Sequence, residues 1–374
     1  MNASEKISTG QLISLLLTSR LAVSMTFAPT MHQMSHGTDF LIGILIEAVF
    51  LIILLLPVWW FSIRCGGISP VDYAYARMGK GGGAVVAGLY GVACLFVQIT
   101  DLIRFSRFAG SVLSPYMSKA VLCIVLMVTA GIAAFYGLQA LGRTAGVIIC
   151  FVVFSILLAA ALLIPQMEAI NFPPLLYNGL SPVFRGTFED LPRSVELAVI
   201  GLLIPRLKSS SSLIKGTLIW CGLFAVILLI IQISVVGVLG DFGQMELFPY
   251  YTAVTTIRTG TLQRLDIVAA AVWVGALFLK TAFFGMIYVD CFERACGEKG
   301  RPLWAAGGAL LVLVLALVAG NELPLELERT AIWYTSAGVM MLLGVLLPLA
   351  FCVWELCRHR RSHADPPPRK EEAL

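Results

Sequence analysis

The chain has 374 residues, of which 59% are hydrophobic and only 13% charged, with a formal net charge of +4 and a mean hydropathy of +0.89. Soluble domains carry roughly 25% charged residues, so this composition excludes a water-soluble globular protein. The small basic excess lies mostly in loops and the tail; it fits membrane orientation and gives no reason to expect a nucleic-acid partner.

A helix needs about 20 apolar residues to cross the hydrocarbon core, and it satisfies its own backbone groups in lipid. Ten stretches qualify in chain order: 11–30, 39–62, 84–108, 118–137, 143–164, 193–207, 214–239, 266–290, 302–319 and 331–356. They predict an all-α polytopic membrane protein with about ten transmembrane helices and no soluble domain. The first follows Met1–Gln11, which holds Glu5 and Lys6 but no basic cluster, and no small-residue cleavage site follows it. It is therefore expected to be a retained span. Gly79-Lys-Gly-Gly-Gly83 lacks the spacing of a phosphate loop and reads as a short cytoplasmic link. The outer connections 165–192 and 240–265 mix aromatics with prolines, as interfacial or capping segments do. The tail, 358–374, is polar with three consecutive prolines and is expected to be disordered.

With the N-terminus inside, the inner segments hold 16 Lys and Arg and the outer ones 8; only Arg20 and Lys280 fall within spans. This bias, with an even number of crossings, places both termini in the cytoplasm. Residues 1–357 form one membrane domain, divisible into repeats at about 11–164 and 193–356, followed by the tail from 358. Cut this way, the first helix of each half is compromised. Span 1 carries Thr18-Ser19-Arg20 mid-segment and ends at Pro29; span 6 carries Glu196, Gly201 and Pro205. Paired interrupted helices point to a LeuT-like 5+5 inverted-repeat fold with a site at the bilayer midplane.

Arg20 is the sharpest anomaly, because a charge at that depth costs at least ~2.5–3.5 kcal/mol. Its guanidinium can grip a ligand carboxylate bidentately, or it can form a structural ion pair with Glu47 or Glu196. Lys280, near the middle of span 8, can stand in for a bound cation and make activity sodium-independent, or it can serve as a fixed partner for Glu47 or Asp101. Asp101 and Arg104 have the spacing of an i,i+3 pair, and Gln98 one turn earlier can line a pocket. Glu196 can couple protons, contact a ligand ammonium, or face water at the outer mouth. Asp39, Asp241 and Asp266 at span ends read as caps or water-facing groups. The nine cysteines are scattered without zinc spacing, and all four histidines lie in a loop or the tail. No metal site, cofactor or intramembrane histidine relay is therefore expected. No Ser/His/Asp set or paired active-site carboxylates are visible, so an enzyme is disfavoured.

Several short motifs occur in order: Ile7-Ser-Thr-Gly-Gln11, Pro29, Asp39, Gly79-Lys80, Leu102-Ile-Arg104, Ser114-Pro115, Tyr136-Gly-Leu-Gln-Ala-Leu-Gly-Arg143, Glu246-Leu-Phe-Pro249, Arg264-Leu-Asp266 and Trp273. In this order the chain resembles the endospore germination permease family, the B subunit of nutrient germinant receptors, within the amino acid–polyamine–organocation superfamily. The resemblance implies residence in the spore inner membrane and assembly with A and C subunits. It also implies a small germinant, commonly an amino acid, bound among spans 1, 3, 6 and 8. Carried over by position, the ligand-binding residues are Ser19, Arg20, Ser24, Val97, Gln98, Glu196, Gly201 and Lys280. The chain departs from the family at Arg20, where small or glycine-containing sequence is usual. A receptor subunit that senses the germinant is one reading. A proton-coupled amino acid transporter working through Glu196 is the alternative, and a non-binding anchor is the third.

Overall fold

The computed structural model describes residues 6–24, 38–113, 118–172, 175–176, 179–257, 265–297, 300–322 and 325–364, and among these there is no strand. The helices are α1 (Thr9–Ser24), α2 (Asp39–Arg64), α3 (Pro70–Phe108), α4 (Lys119–Phe135), α5 (Gly137–Leu163), α6 (Leu180–Asp190), α7 (Glu196–Leu203), α8 (Ser210–Leu239), α9 (Pro249–Thr255), α10 (Leu265–Cys296), α11 (Arg301–Glu322), α12 (Leu325–Val339) and α13 (Leu347–Ala364). Among the described residues, seven helical segments are long and apolar enough to cross a membrane: 39–64, 70–112, 137–166, 210–239, 265–296, 301–320 and 330–358. The protein is an integral membrane protein. Large apolar side chains remain exposed along these helices, among them Val49, Phe151, Phe154 and Leu310. Such a surface is stable against lipid and not against water.

Local chemistry sets the helix starts. Ser8 and Gln11 form a reciprocal capping box: the Ser8 N–H donates to Gln11 Oε1 at 2.9 Å, and the Gln11 N–H to Ser8 Oγ at 3.2 Å. Ser69 caps α3 by accepting from the Asp72 N–H at 3.1 Å, with Pro70 in the first turn where its missing N–H costs nothing. From Leu15 to Ser24 every residue of α1 is buried. A helix wrapped on all sides by others needs no polar face, which makes α1 the central post of the bundle, packed on α5, α8 and α10.

Three boundaries differ from the sequence reading. The third span begins at Pro70 and not at 84, and the supposed glycine link lies within it as a kink at Gly79 (φ 73°, ψ −170°). A residue without Cβ takes this backbone readily. Second, the stretch 165–192 is not simply a connection, because residues 180–190 form α6, followed by a 3₁₀ turn Leu191–Arg193 and then α7. The interruption therefore lies at Leu191–Val195, where Pro192 sits, ahead of Gly201. Third, α13 runs through to Ala364, into the expected tail. The interruption expected at Thr18-Ser19-Arg20 is not there, because α1 runs unbroken from Thr9 to Ser24 with these three side chains packed inside the bundle; Pro29 and the end of the tail from 365 lie outside the described residues. The last span contains a π-helical stretch, Met340–Leu346. There Gly344 approaches α7 so closely that a Cβ would lie 3.1 Å from the Leu197 carbonyl oxygen.

Candidate functional site

Midway along α10, Lys280 is buried and reaches two carboxylates: Nζ is 3.4 Å from Asp101 Oδ2 on α3 and 3.6 Å from Glu196 Oε1 at the start of α7. The Ser19 hydroxyl of α1 donates to the same Glu196 oxygen at 2.6 Å. On the other side of α1, Arg20 is 0% exposed. Its Nη2 donates to Glu47 Oε1 of α2 at 3.0 Å and to Asp190 Oδ2 of α6 at 2.8 Å. Its Nη1 donates to Ser24 Oγ at 3.2 Å, and its guanidinium carbon stands 4.5 Å from the centroid of the Phe224 ring on α8. Arg193 pairs with the second oxygen of Asp190 at 3.0 Å, and Arg104 with Asp101 at 3.0 Å. Together these contacts join four cations to four carboxylates, so their formal charges cancel.

The folding logic of this layer follows from the interrupted helix. After α6 ends, Ser194 leaves the helical region (φ −80°, ψ 49°). The chain restarts at Val195 without a side-chain cap, and this turn presents Asp190, Arg193 and Glu196 within seven residues. Burying a charge is expensive unless it is paired, and the neighbouring helices each supply a partner. Several buried polar atoms nonetheless lack a hydrogen-bond partner: Thr18 Oγ1, Arg20 Nε, Glu47 Oε2, Asp101 Oδ2, Ser194 Oγ and Glu196 Oε2. Orphans of this kind are rare in folded proteins and call for an explanation.

The layer brings together Ser19, Arg20, Ser24, Glu196 and Lys280 of the expected site residues. Arg20 pairs with Glu47, one of the two structural partners the sequence allowed, and also with Asp190, which sequence reasoning had left in an outer connection. Lys280 pairs with Asp101, as one sequence reading had it, and with Glu196, which is buried and not wet at an outer mouth. Asp39 is likewise fully buried, accepting from the Leu176 N–H at 2.7 Å, and does not face water. Asp190 was missed because an acidic residue in a proline-containing segment reads as loop; the Phe188-Glu-Asp190 run just before Pro192 was the available signal.

The remaining three residues sit apart from these ion pairs. Val97 is buried core, and its carbonyl accepts from Thr100. Gly201 packs on the Pro70 ring, where a Cβ would meet Cγ at 3.0 Å. Gln98 lines a cavity of about 40 Å³ between α3, α4, α10 and α11, together with Thr281, Gly285 and Arg301. A cavity that size accommodates water-sized groups and not an amino acid.

A second ionic group closes the end of the bundle where α3 starts and α10 finishes. Asp290 accepts from Arg206 and Arg301, both at 2.9 Å. Arg294 pairs with Asp72 at 2.6 Å, and Arg77 with Glu355 at 2.9 Å. The Ile7 N–H donates to the Arg206 carbonyl at 2.9 Å, which fastens the start of α1 to the end of α7. Towards the opposite end, Trp273 Nε1 donates to the Ala22 carbonyl near the end of α1 at 2.6 Å. The Trp273 ring packs on Phe108, with 4.3 Å between ring centroids.

The sequence profile of spore germination proteins matches residues 6–323. The chain belongs to that family. No curated protein matches it in sequence. Among solved structures it is similar to the transporter MhsT in complex with L-phenylalanine, at 13% identity and TM-score 0.68, covering 94% of this chain and 92% of that one. It is also similar to a nucleobase-cation-symport-1 family transporter in a closed conformation with bromovinylhydantoin bound (12% identity, TM-score 0.62, 96% and 94% covered). A third is a Na⁺-coupled sialic acid symporter in a substrate-bound, outward-open state (13%, TM-score 0.61, 91% and 79% covered). At such identities the likeness shows the shared LeuT-like fold. The expected membership of the germination permease family and the expected all-α, LeuT-like membrane fold both stand, with seven of the ten expected spans long and apolar enough to cross among the described residues.

Proposed function

We propose that this chain is the nutrient-sensing membrane subunit of a spore germinant receptor, resident in the spore inner membrane with both termini cytoplasmic. In this reading it binds a small germinant, an amino acid, beside the buried charge layer and signals to A and C subunits. One observation carries the proposal. In a member of the spore germination family, α1, α2, α3, α6, α7 and α10 meet through ionisable groups at an interrupted helix. Burying so many charges and leaving several of their atoms unpartnered is costly for a mere anchor, and ionisable groups inside a membrane bundle mark functional pathways. MhsT, with the same fold, is described with an amino acid bound, which supports that ligand class. Ser19, Ser24, Glu196 and Lys280 supply one wall of the site, while Gln98 faces the separate cavity between α3, α4, α10 and α11. Val97 and Gly201 shape the packing behind them.

Arg20 already bonds two protein carboxylates, so the site does not need an anionic ligand to neutralise it. A zwitterion can instead exchange its carboxylate for that of Asp190 on Arg20, which would free α6. Signalling requires only that the nutrient favour one arrangement by a few kcal/mol.

The test is nutrient-dependent stabilisation of the purified chain across amino acids, sugars and nucleosides, together with germination of spores carrying Arg20→Ala. An Arg20→Ala variant that assembles normally and germinates with unaltered nutrient dependence removes Arg20 from the binding site. The buried Glu196, with Oε2 unpartnered, favours a second reading, a proton-coupled amino acid transporter. Substrate-dependent flux in vesicles containing this chain alone, abolished by Glu196→Gln, would select it. Co-purification with A and C subunits without such flux selects the receptor.

A further inference from the structure

We propose that the Lys280 ammonium is a built-in counter-cation, occupying the place where a monovalent metal ion would otherwise bridge Asp101 and Glu196, so that the site works without sodium or potassium. The proposal deepens the nutrient-site reading, since it concerns the same layer. It rests on position and charge.

Lys280 sends its four-carbon arm from α10 to a point between α3 and α7, and its nitrogen lies at nearly equal distances, 3.4 and 3.6 Å, from the two carboxylates. Neither contact is a hydrogen bond: Asp101 Oδ2 has no hydrogen-bond partner, and 3.6 Å to Glu196 Oε1 is beyond hydrogen-bond distance. The nitrogen thus sits as a shared point charge between carboxylate oxygens from two helices, α3 and α7. The Phe284 ring, centred 5.8 Å from Nζ, lies beside it and adds a weak cation–π attraction.

The charge count gives the proposal its force. Among the described residues, the two carboxylates Asp101 and Glu196 meet the two cations Arg104 and Lys280. With Lys280 in place these four groups balance, and a further cation would bring an added charge into a buried setting. Without it the four are short of one positive charge and leave a space the length of a butylamine between two acids, which together make a site for a small monocation.

The proposal is tested on the purified full-length chain, without any nutrient. Thermal midpoints are measured in NaCl, KCl and choline chloride at matched ionic strength. The wild type should agree in all three within about 2 °C; saturable stabilisation of the wild type by Na⁺ or K⁺ overturns the proposal. Lys280→Ala should fall by about 5–10 °C in choline chloride and recover at least half of the loss in methylammonium or sodium chloride, saturably. No recovery with either cation overturns it. Where Lys280→Ala does not fold, Lys280→Ala/Glu196→Gln restores neutrality and should fold, with a midpoint indifferent to the cation; a double variant as defective as the single one overturns the charge-balancing role. No arm involves a germinant, so failure of the nutrient reading and failure of this one are separately visible.

Discussion

Replacing Arg20 with methionine keeps most of the side-chain volume and removes its charge. Glu47 and Asp190 then face each other from α2 and α6 in a setting where the arginine is fully buried, with only Arg193 left for Asp190. Breaking a buried pair by removing one partner costs about 3–5 kcal/mol. Loss of the contact with Phe224 adds up to about 2 kcal/mol when desolvated. At roughly 2 °C per kcal/mol for a chain of this size, the midpoint should fall by about 6–14 °C. The nine cysteines provide the assay: Cys94, Cys123, Cys221, Cys291 and Cys352 are buried, so a thiol-reactive dye reports unfolding in detergent. Arg20→Met/Glu47→Gln restores neutrality and should regain more than half of the loss. A midpoint for Arg20→Met within 2 °C of wild type, or a double variant no better than the single, refutes the view that charge balance holds this layer together.

Three further predictions address the frame around the site. Trp273→Phe keeps the aromatic packing but leaves the Ala22 carbonyl without its 2.6 Å donor; a loss of about 1–3 kcal/mol is expected, and an unchanged midpoint would show that water replaces the indole. Gly344→Ala places a methyl 3.1 Å from the Leu197 backbone. It should cost about 1–3 kcal/mol by overpacking α7 against the π-helical stretch, whereas Gly222→Ala, with nothing within 4 Å, should be neutral in the same melt. Asp290→Asn weakens the ties to Arg206 and Arg301, so maleimide labelling of the adjacent buried Cys291 should speed up several-fold, and equal labelling rates would show that these ion pairs do not hold that end shut.

Much of the architecture was legible before any coordinates. Apolar runs and sparse charge report the solvent directly, because lipid tolerates neither unpaired backbone groups nor water-loving faces. The same logic marked Arg20 and Lys280: a cation inside an apolar run has no inexpensive place to go, so both stood out as residues with an assigned task. The Ser8/Gln11 box and the Ser69-Pro70 start depend only on residues three apart, yet the apolar pattern alone placed the third span at 84 and passed over the start at Pro70. The extent of α6 was not legible, because its eleven residues include Arg185, Glu189, Asp190 and a proline and lack the apolar length that a hydropathy window detects. The choice of partner for each charge was also hidden. Glu47, Asp101, Asp190 and Glu196 were all chemically eligible, and they lie 27 to 170 residues from Arg20 in the pairs it does make.

The sequence by itself determined the medium, the helical class, the family and the fact that charges had to be buried. Only the tertiary structure decided that Arg20 would bind Glu47 with Asp190, that Lys280 would lie between Asp101 and Glu196, and that Gln98 would face a separate small cavity. Hydropathy and capping act over a turn or a span of chain. Charge pairing in a bundle depends on which helices pack side by side and at what height, and those are properties of the whole fold.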